Sequence, residues 1–97
     1  MYKIKISKKA DNDIENIIAY IALDNPYRSV SFTGELLSSV KSMLSSFPFL
    51  GKEKWGLRVL VCRGYYILYR VNDEKKEVSL TRIINPANYT AYRGFIN

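Results

Sequence analysis

Arginine, lysine and tyrosine carry whatever chemistry this chain can perform. It contains no histidine and one cysteine, Cys62. Without histidine there is no Ser-His or Cys-His constellation, and with a single cysteine no zinc site is expected. Cys62 lies in the apolar run Val59-Leu60-Val61-Cys62. It reads as a buried small hydrophobe and cannot form an internal disulfide. The remaining polar chemistry gathers in the second half of the chain: Lys52, Lys54, Trp55 and Arg58, then Arg63, Tyr65, Tyr66 and Arg70, then Arg82, then Tyr89, Tyr92 and Arg93. Guanidinium groups and aromatic rings together clamp phosphates and stack bases. The same pairings also build ordinary sheets, where tyrosines cover their neighbours and arginines meet carboxylates. Tyr69 and Arg70 in particular read as scaffold.

The overall charge points the same way. Fifteen Lys and Arg against nine Asp and Glu give +6 and a pI near 9.5. That balance favours an acidic or polyanionic partner: nucleic acid, a ribosome or an acidic protein. Ninety-seven residues support one hydrophobic core, so residues 1–97 are read as a single domain. No apolar run approaches the roughly 18 residues of a membrane span, and the start lacks the apolar core of a signal peptide. The expectation is a cytoplasmic protein with no membrane contact and no cofactor.

These side chains need elements to hold them. Ile4 and Ile6 alternate with Lys3 and Lys5, the period of a half-buried strand, and Ser7 is a good helix N-cap. Ala10, Ile14, Ile17, Ile18 and Ile21 make one stripe of a helix over 8–23, with Asp11 and Asp13 near its positive end. Asn25-Pro26 breaks and restarts the helix. Val30, Leu37, Val40, Leu44 and Phe47 carry the second stripe, widened by Leu36 and Met43, and Pro48 and Gly51 end it. The short link makes the two helices an antiparallel hairpin. Residues 47–56 read as loop. Residues 57–62 and 65–71 read as strands joined at Arg63-Gly64, and 77–84 as a third. The fold class is therefore α+β, with a short N-terminal strand at a sheet edge, a helical hairpin and a three-stranded antiparallel meander.

Strand period sorts the faces. Arg58, Leu60 and Cys62 share one side of their strand, opposite Leu57, Val59 and Val61. Tyr66, Leu68 and Arg70 share a side, as do Val78, Leu80 and Arg82. Both alternations are largely apolar, so one face covers the helices and the other meets the tail, a partner chain or a second copy.

Taken together, Ser7, Asp13-Ile14, Asn25-Pro26, Pro48, Gly51, Gly56-Leu57-Arg58, Gly64-Tyr65-Tyr66, Tyr69-Arg70 and Thr81-Arg82-Ile83 resemble the RelE/ParE superfamily of bacterial toxins over residues 2–84. The resemblance implies a toxin neutralised by a cognate antitoxin laid along its helices and sheet. Operator DNA would be met only through that antitoxin, and a dimer could form within the complex. RelE-like members cut mRNA on the ribosome with a Lys/Arg cluster and a C-terminal Tyr; the best-known ParE-like members inhibit DNA gyrase. Here Tyr66 stands where RelE-like toxins carry a catalytic Arg, and a second such position falls near Pro86, in the uncharged Asn85-Pro86-Ala87-Asn88 stretch. The chain is therefore closer to the ParE branch, although of the basic cluster that often follows the last strand only Arg93 is present. The residues expected to meet a target or partner are Arg58, Arg82, Tyr89, Tyr92 and Arg93. The alternative is a rearranged RNase site of Lys52, Lys54, Arg58 and Tyr89. A third reading is a non-toxic member that only pairs with its antitoxin and helps repress its own operon.

Overall fold

Ser7 ends a strand and starts a helix, and both halves of the fold are built outward from it. The structure, a computed structural model, describes residues 1–85. Strand β1 (Lys3–Ile6) alternates exposed Lys with half-buried Ile, as its pattern requires. Ser7 has extended backbone angles, and its Oγ accepts the Ala10 amide at 3.0 Å, capping α1 (Lys8–Ala22). Ala10, Ile14 and Ile17 are buried, with Ile18 and Ile21 packed at the margin of the same core. Asn25 Oδ1 accepts the Arg28 amide at 3.0 Å and Pro26 occupies the first position of α2 (Pro26–Ser46).

The buried stripe of α2 differs from the hydropathic expectation. Val30 and Phe47 are 68% and 67% exposed, whereas Ser29 and Thr33 are buried in line with Leu36, Val40 and Leu44. Ser29 Oγ donates to the Pro26 carbonyl and Thr33 Oγ1 to the Ser29 carbonyl, each at 2.7 Å. The hydroxyls are thus satisfied within the helix and cost little to bury. Positions 29, 33, 36, 40 and 44 keep the three- and four-residue steps of one face. Hydropathy prefers Val30 to its smaller neighbour Ser29; the helix geometry does not.

The sheet has five strands in the order β1-β5-β4-β3-β2. Strands β3 (Leu57–Cys62), β4 (Tyr65–Asn72) and β5 (Glu77–Ile84) form the expected meander, and β1 pairs parallel to β5 at one edge. The segment read as loop contains a further strand, β2 (Lys52–Lys54), antiparallel to β3. The meander therefore has four strands. The turn that makes this possible is Trp55-Gly56, with φ of 53° and 78°; Arg63-Gly64 repeats it between β3 and β4 with 50° and 83°. Paired left-handed residues match the natural twist of a two-residue hairpin. Lys-Glu-Lys carries no apolar alternation, and charge suits a short edge strand that must not recruit another chain.

A bulge in β5 decides the faces. Leu68 pairs with Arg82 but Tyr69 pairs with Leu80, leaving Thr81 as the extra residue. Thr81 Oγ1 donates to the Leu68 carbonyl at 2.8 Å. Val78, Leu80 and Ile83 all join the helix-side core with Cys62, Tyr65, Ile67 and Tyr69. Arg82 falls opposite Leu68 on the open face, where Val59, Leu68 and Ile84 form a smaller cluster with Leu57 and Tyr66. The expectation that Val78, Leu80 and Arg82 share a side therefore fails at the bulge.

In the middle of β4, between Arg58 of β3 and Leu80 of β5, the core closes on Tyr69, which is fully buried. Its hydroxyl accepts the Gly51 amide at 2.7 Å. A Cβ at position 51 would lie 2.6 Å from that hydroxyl and 2.9 Å from the Val59 carbonyl. Gly51→Ala should cost about 1–3 kcal/mol of overpacking, read from urea unfolding. Burial holds the Tyr69 hydroxyl above the ordinary tyrosine value of 10.0, against the lowering effect of the Gly51 amide. The folded chain thus binds this proton more tightly than the unfolded chain. Its contribution to stability is complete below pH 10 and is lost as pH rises through the folded-state value. Tyr69→Phe should lower stability at neutral pH, by about 1–3 kcal/mol for the orphaned amide, yet flatten the loss above pH 10.

Candidate interaction site

Asp13 sits one turn into α1, on the margin of its buried stripe. Its carboxylate receives three hydrogen bonds from the strand that carries the bulge. Arg82 Nε donates to Oδ2 at 2.8 Å, Arg82 Nη2 to Oδ1 at 3.1 Å, and the Ile83 amide to Oδ2 at 2.9 Å. A fork-on-carboxylate pair fixes orientation as well as distance. Ser7 completes the junction: its amide donates to the Leu80 carbonyl and its Oγ to the Thr81 carbonyl, both at 3.0 Å. Residues 80–83 are thus gripped in succession by the start of α1.

This grip leaves the Arg82 side chain 34% exposed, against 13% for Asp13. Arg82 borders three of the cavities, the smallest, of about 250 Å³, beside Lys9, Asn12 and Asp13. Another, of about 350 Å³, is lined by Asp13, Asn16, Tyr20 and Asn85 among others. The third, of about 390 Å³, opens on the sheet face beside Leu57, Leu68 and Arg70.

The other expected residues do not gather around it. Arg58 lies on the helix side of β3, paired with Tyr69 in the ladder. Its Nη1 donates to the Gly51 carbonyl at 2.7 Å and the Phe49 carbonyl at 3.3 Å, and Nη2 stands 3.4 Å from Glu53 Oε2. Its guanidinium also lies 5.0 Å over the Phe49 ring. Arg58 therefore fastens the 49–53 segment to the sheet, on the opposite side from Arg82. Lys52 and Lys54 pair with Val59 and Leu57, which places them on the open side, and the Lys54 ammonium lies 5.1 Å over the Trp55 ring. The set Lys52, Lys54 and Arg58 is accordingly divided between the two faces. Tyr89, Tyr92 and Arg93 lie outside the described residues. Among the described residues no group of three His, Cys, Asp or Glu is placed to hold a metal ion, and no helix is long and apolar enough to cross a membrane.

Asp13 is the residue that sequence reasoning undervalued. Its position near a helix start explains a carboxylate there by the dipole alone, and nothing local signals a partner 69 residues away. A second cluster also went unread: the Tyr2 hydroxyl donates to Asp73, and the Lys76 ammonium lies 3.1 Å from the same carboxylate. These contacts hold the Asp73 carboxyl below its ordinary value, the Tyr2 hydrogen bond contributing most. They tie β1 to the turn between β4 and β5.

Residues 4–87 match the family described as the ParE toxin of the type II toxin-antitoxin system, parDE. The chain belongs to the ParE toxin family. Its fold is similar to that of solved toxin–antitoxin proteins. It matches a chain of the chromosomal ParDE system from P. aeruginosa with a TM-score of 0.72 and 21% identity, covering 88% of this chain and 96% of that one. For the RelBE2 complex from Mycobacterium tuberculosis the TM-score is 0.67 at 21% identity, covering 87% and 96%. For the intact E. coli RelBE complex it is 0.62 at 18% identity, covering 88% and 96%. At these identities the likeness concerns the fold. No curated protein matches the sequence. ParE and RelE chains thus share one scaffold, and what distinguishes this ParE-family toxin must reside in its side chains.

The clamp makes its own prediction. Asp13→Ala removes the acceptor of the Ile83 amide and of both Arg82 donors, and should cost about 1.5–3 kcal/mol in denaturant unfolding. Asp13→Asn keeps one oxygen acceptor and should lose less. Equal stability of both variants with the parent would mean that Asp13 holds nothing.

Proposed function

We propose that this ParE-family toxin stops growth by binding a target such as DNA gyrase, with no covalent step of its own, and is neutralised by a cognate antitoxin. The observation that carries this reading is the Arg82 guanidinium, oriented by the Asp13 carboxylate and the β5 bulge at the border of the open sheet face. A guanidinium held in advance loses little side-chain entropy on meeting a carboxylate or phosphate, so its surplus appears as affinity. Arg82 is in this reading the principal target contact, with Tyr89, Tyr92 and Arg93 as further contacts.

RNA cleavage asks for something different. Cations must converge on one phosphate to stabilise the charge that develops as a 2′-hydroxyl attacks it. Arg58 is committed to the carbonyls of Gly51 and Phe49, on the side of the sheet away from Lys52 and Lys54. Tyr66 occupies the open face where the superfamily resemblance calls for an arginine. These placements favour the binding mode. The partner proposal draws on the fold neighbours, which are toxin–antitoxin systems. In this reading the protein works in the cytoplasm, where its target lies, and reaches operator DNA only through the antitoxin, within a complex that could contain a toxin dimer.

The test is supercoiling of relaxed plasmid by the host's own gyrase, with and without the purified protein. Loss of supercoiling with accumulation of linear DNA is expected. Arg82→Lys, which keeps the charge and loses the fork, should weaken inhibition about tenfold while remaining folded. Unaffected gyrase together with cleaved transcripts in expressing cells would instead establish the RNase mode. Unaffected gyrase, intact transcripts and normal growth would mark a non-toxic member.

A further inference from the structure

One end of the molecule turns its apolar side chains outward. It is built from the end of α2, the segment 47–51 and the turns that follow β2 and β4, which strand pairing brings level: Lys54 pairs with Leu57, and Asn72 with Glu77. The Tyr2 amide donates to the Ser45 carbonyl at 2.9 Å, and the Tyr2 ring meets Phe49 edge-on at 6.3 Å, so Met1 belongs to the same end. Met1, Phe47, Phe49, Leu50 and Trp55 are each at least 50% exposed there. The backbone beneath them is fastened to the interior. Pro48 is buried, Arg58 holds the Phe49 and Gly51 carbonyls, and the Tyr69 hydroxyl accepts the Gly51 amide. The segment is thereby held with its apolar groups in water, where burial would be favourable. Trp55 goes further: it stands at φ 53°, left-handed backbone that suits Asn or Gly in such a turn and is costly for a bulky ring.

The surroundings are cationic. Arg58, Lys76 and Lys5 engage Glu53, Asp73 and Glu77. That leaves Lys3, Lys52, Lys54 and Lys75 around one further carboxylate at this end, Glu74. A second copy of the chain would bring these like charges together. A nucleic acid would meet the lysines and Trp55 but leave Met1, Phe47 and Leu50 in water. An anionic bilayer suits both sets: apolar groups enter the headgroup boundary, where tryptophan is favoured, and lysines reach lipid phosphates.

We propose that this end docks on the surface of an anionic phospholipid bilayer, with Phe47, Leu50 and Trp55 entering the headgroup layer and Lys3, Lys52, Lys54 and Lys75 meeting lipid phosphates. The contact is peripheral: among the described residues no helix is long and apolar enough to cross a membrane. It revises the expectation of no membrane contact, which rested on spanning and signal segments alone. It also goes beyond the toxin reading and does not involve Arg82.

Trp55 is the chain's single tryptophan and reports on its own site. The full chain is mixed with vesicles of phosphatidylglycerol or of phosphatidylcholine, and co-sedimentation is read beside Trp55 fluorescence. With phosphatidylglycerol, sedimentation, a blue shift and quenching by lipids brominated in their acyl chains are expected. Binding to phosphatidylcholine should be about tenfold weaker or less. Phe47→Ser/Leu50→Ser should weaken binding to phosphatidylglycerol about tenfold, and Lys52→Gln/Lys75→Gln by a similar factor. If the first variant does not fold, the second decides. Sedimentation without a change in Trp55 emission would mean adsorption through another basic surface and would overturn the proposal. So would undiminished binding by the folded variants, a Trp55 response to single-stranded DNA but not to vesicles, or burial of Trp55 by self-association of the free chain. Gyrase supercoiling is measured without vesicles, so failure of either reading leaves the other standing.

Discussion

The Asp13 carboxylate joins the two layers of this protein, and most of what the structure does follows from that bond. It lies on the first helix but makes its hydrogen bonds to the last strand, accepting from Nε and Nη2 of the Arg82 guanidinium and from the amide of Ile83. A part-buried carboxylate with three donors is stable where an isolated one would be costly. Because one acceptor holds a side chain and the next residue's backbone together, it specifies the position of the helical hairpin along β5. Ser7 reinforces the same junction through the Leu80 and Thr81 carbonyls.

The junction depends in turn on an irregularity. Without the extra Thr81, β5 would alternate through Leu80 and Arg82 on one side, and a guanidinium would be forced into the helix-side core. The bulge shifts the alternation by one residue, so Ile83 fills that core and Arg82 reaches the open face. Thr81 contains the disturbance by donating its hydroxyl to the Leu68 carbonyl. On the helix side of the sheet, Tyr69, Gly51 and Arg58 do the comparable work of anchoring the segment that leads into β2.

Charge is therefore sorted by face. Arg58 is directed inward to carbonyl groups, while Lys8, Lys9, Arg70 and Arg82 border the open groove. One scaffold, shared by ParE and RelE chains, can accordingly present different surfaces. Here the outward set sits beside Leu57 and Leu68.

Much of this was legible in the sequence because it is local. The Ser7 and Asn25 caps, the Pro26 restart, the Arg63-Gly64 turn and the first helical stripe each follow from the stereochemistry of a few adjacent residues, and the order of those signals sufficed for an α+β toxin fold. The charged strand Lys52–Lys54 escaped because it has no hydrophobic period and owes its existence to pairing with β3. The stripe of α2 was right at Leu36, Val40 and Leu44 but misplaced at its start, because buried Ser29 and Thr33 satisfy themselves within the helix, which hydropathy cannot register. The bulge and the choice of sheet face lay beyond the sequence altogether. Both alternations are apolar, so only the packing of the helices could choose between them. The pairing of Asp13 with Arg82 was equally hidden, because a bond across 69 residues exists only once the chain has folded back to make it. The sequence by itself determined the helices, the long strands and their family; the tertiary structure decided the edge strand Lys52–Lys54 and which arginine faces outward, because these depend on register and on partners brought close by folding.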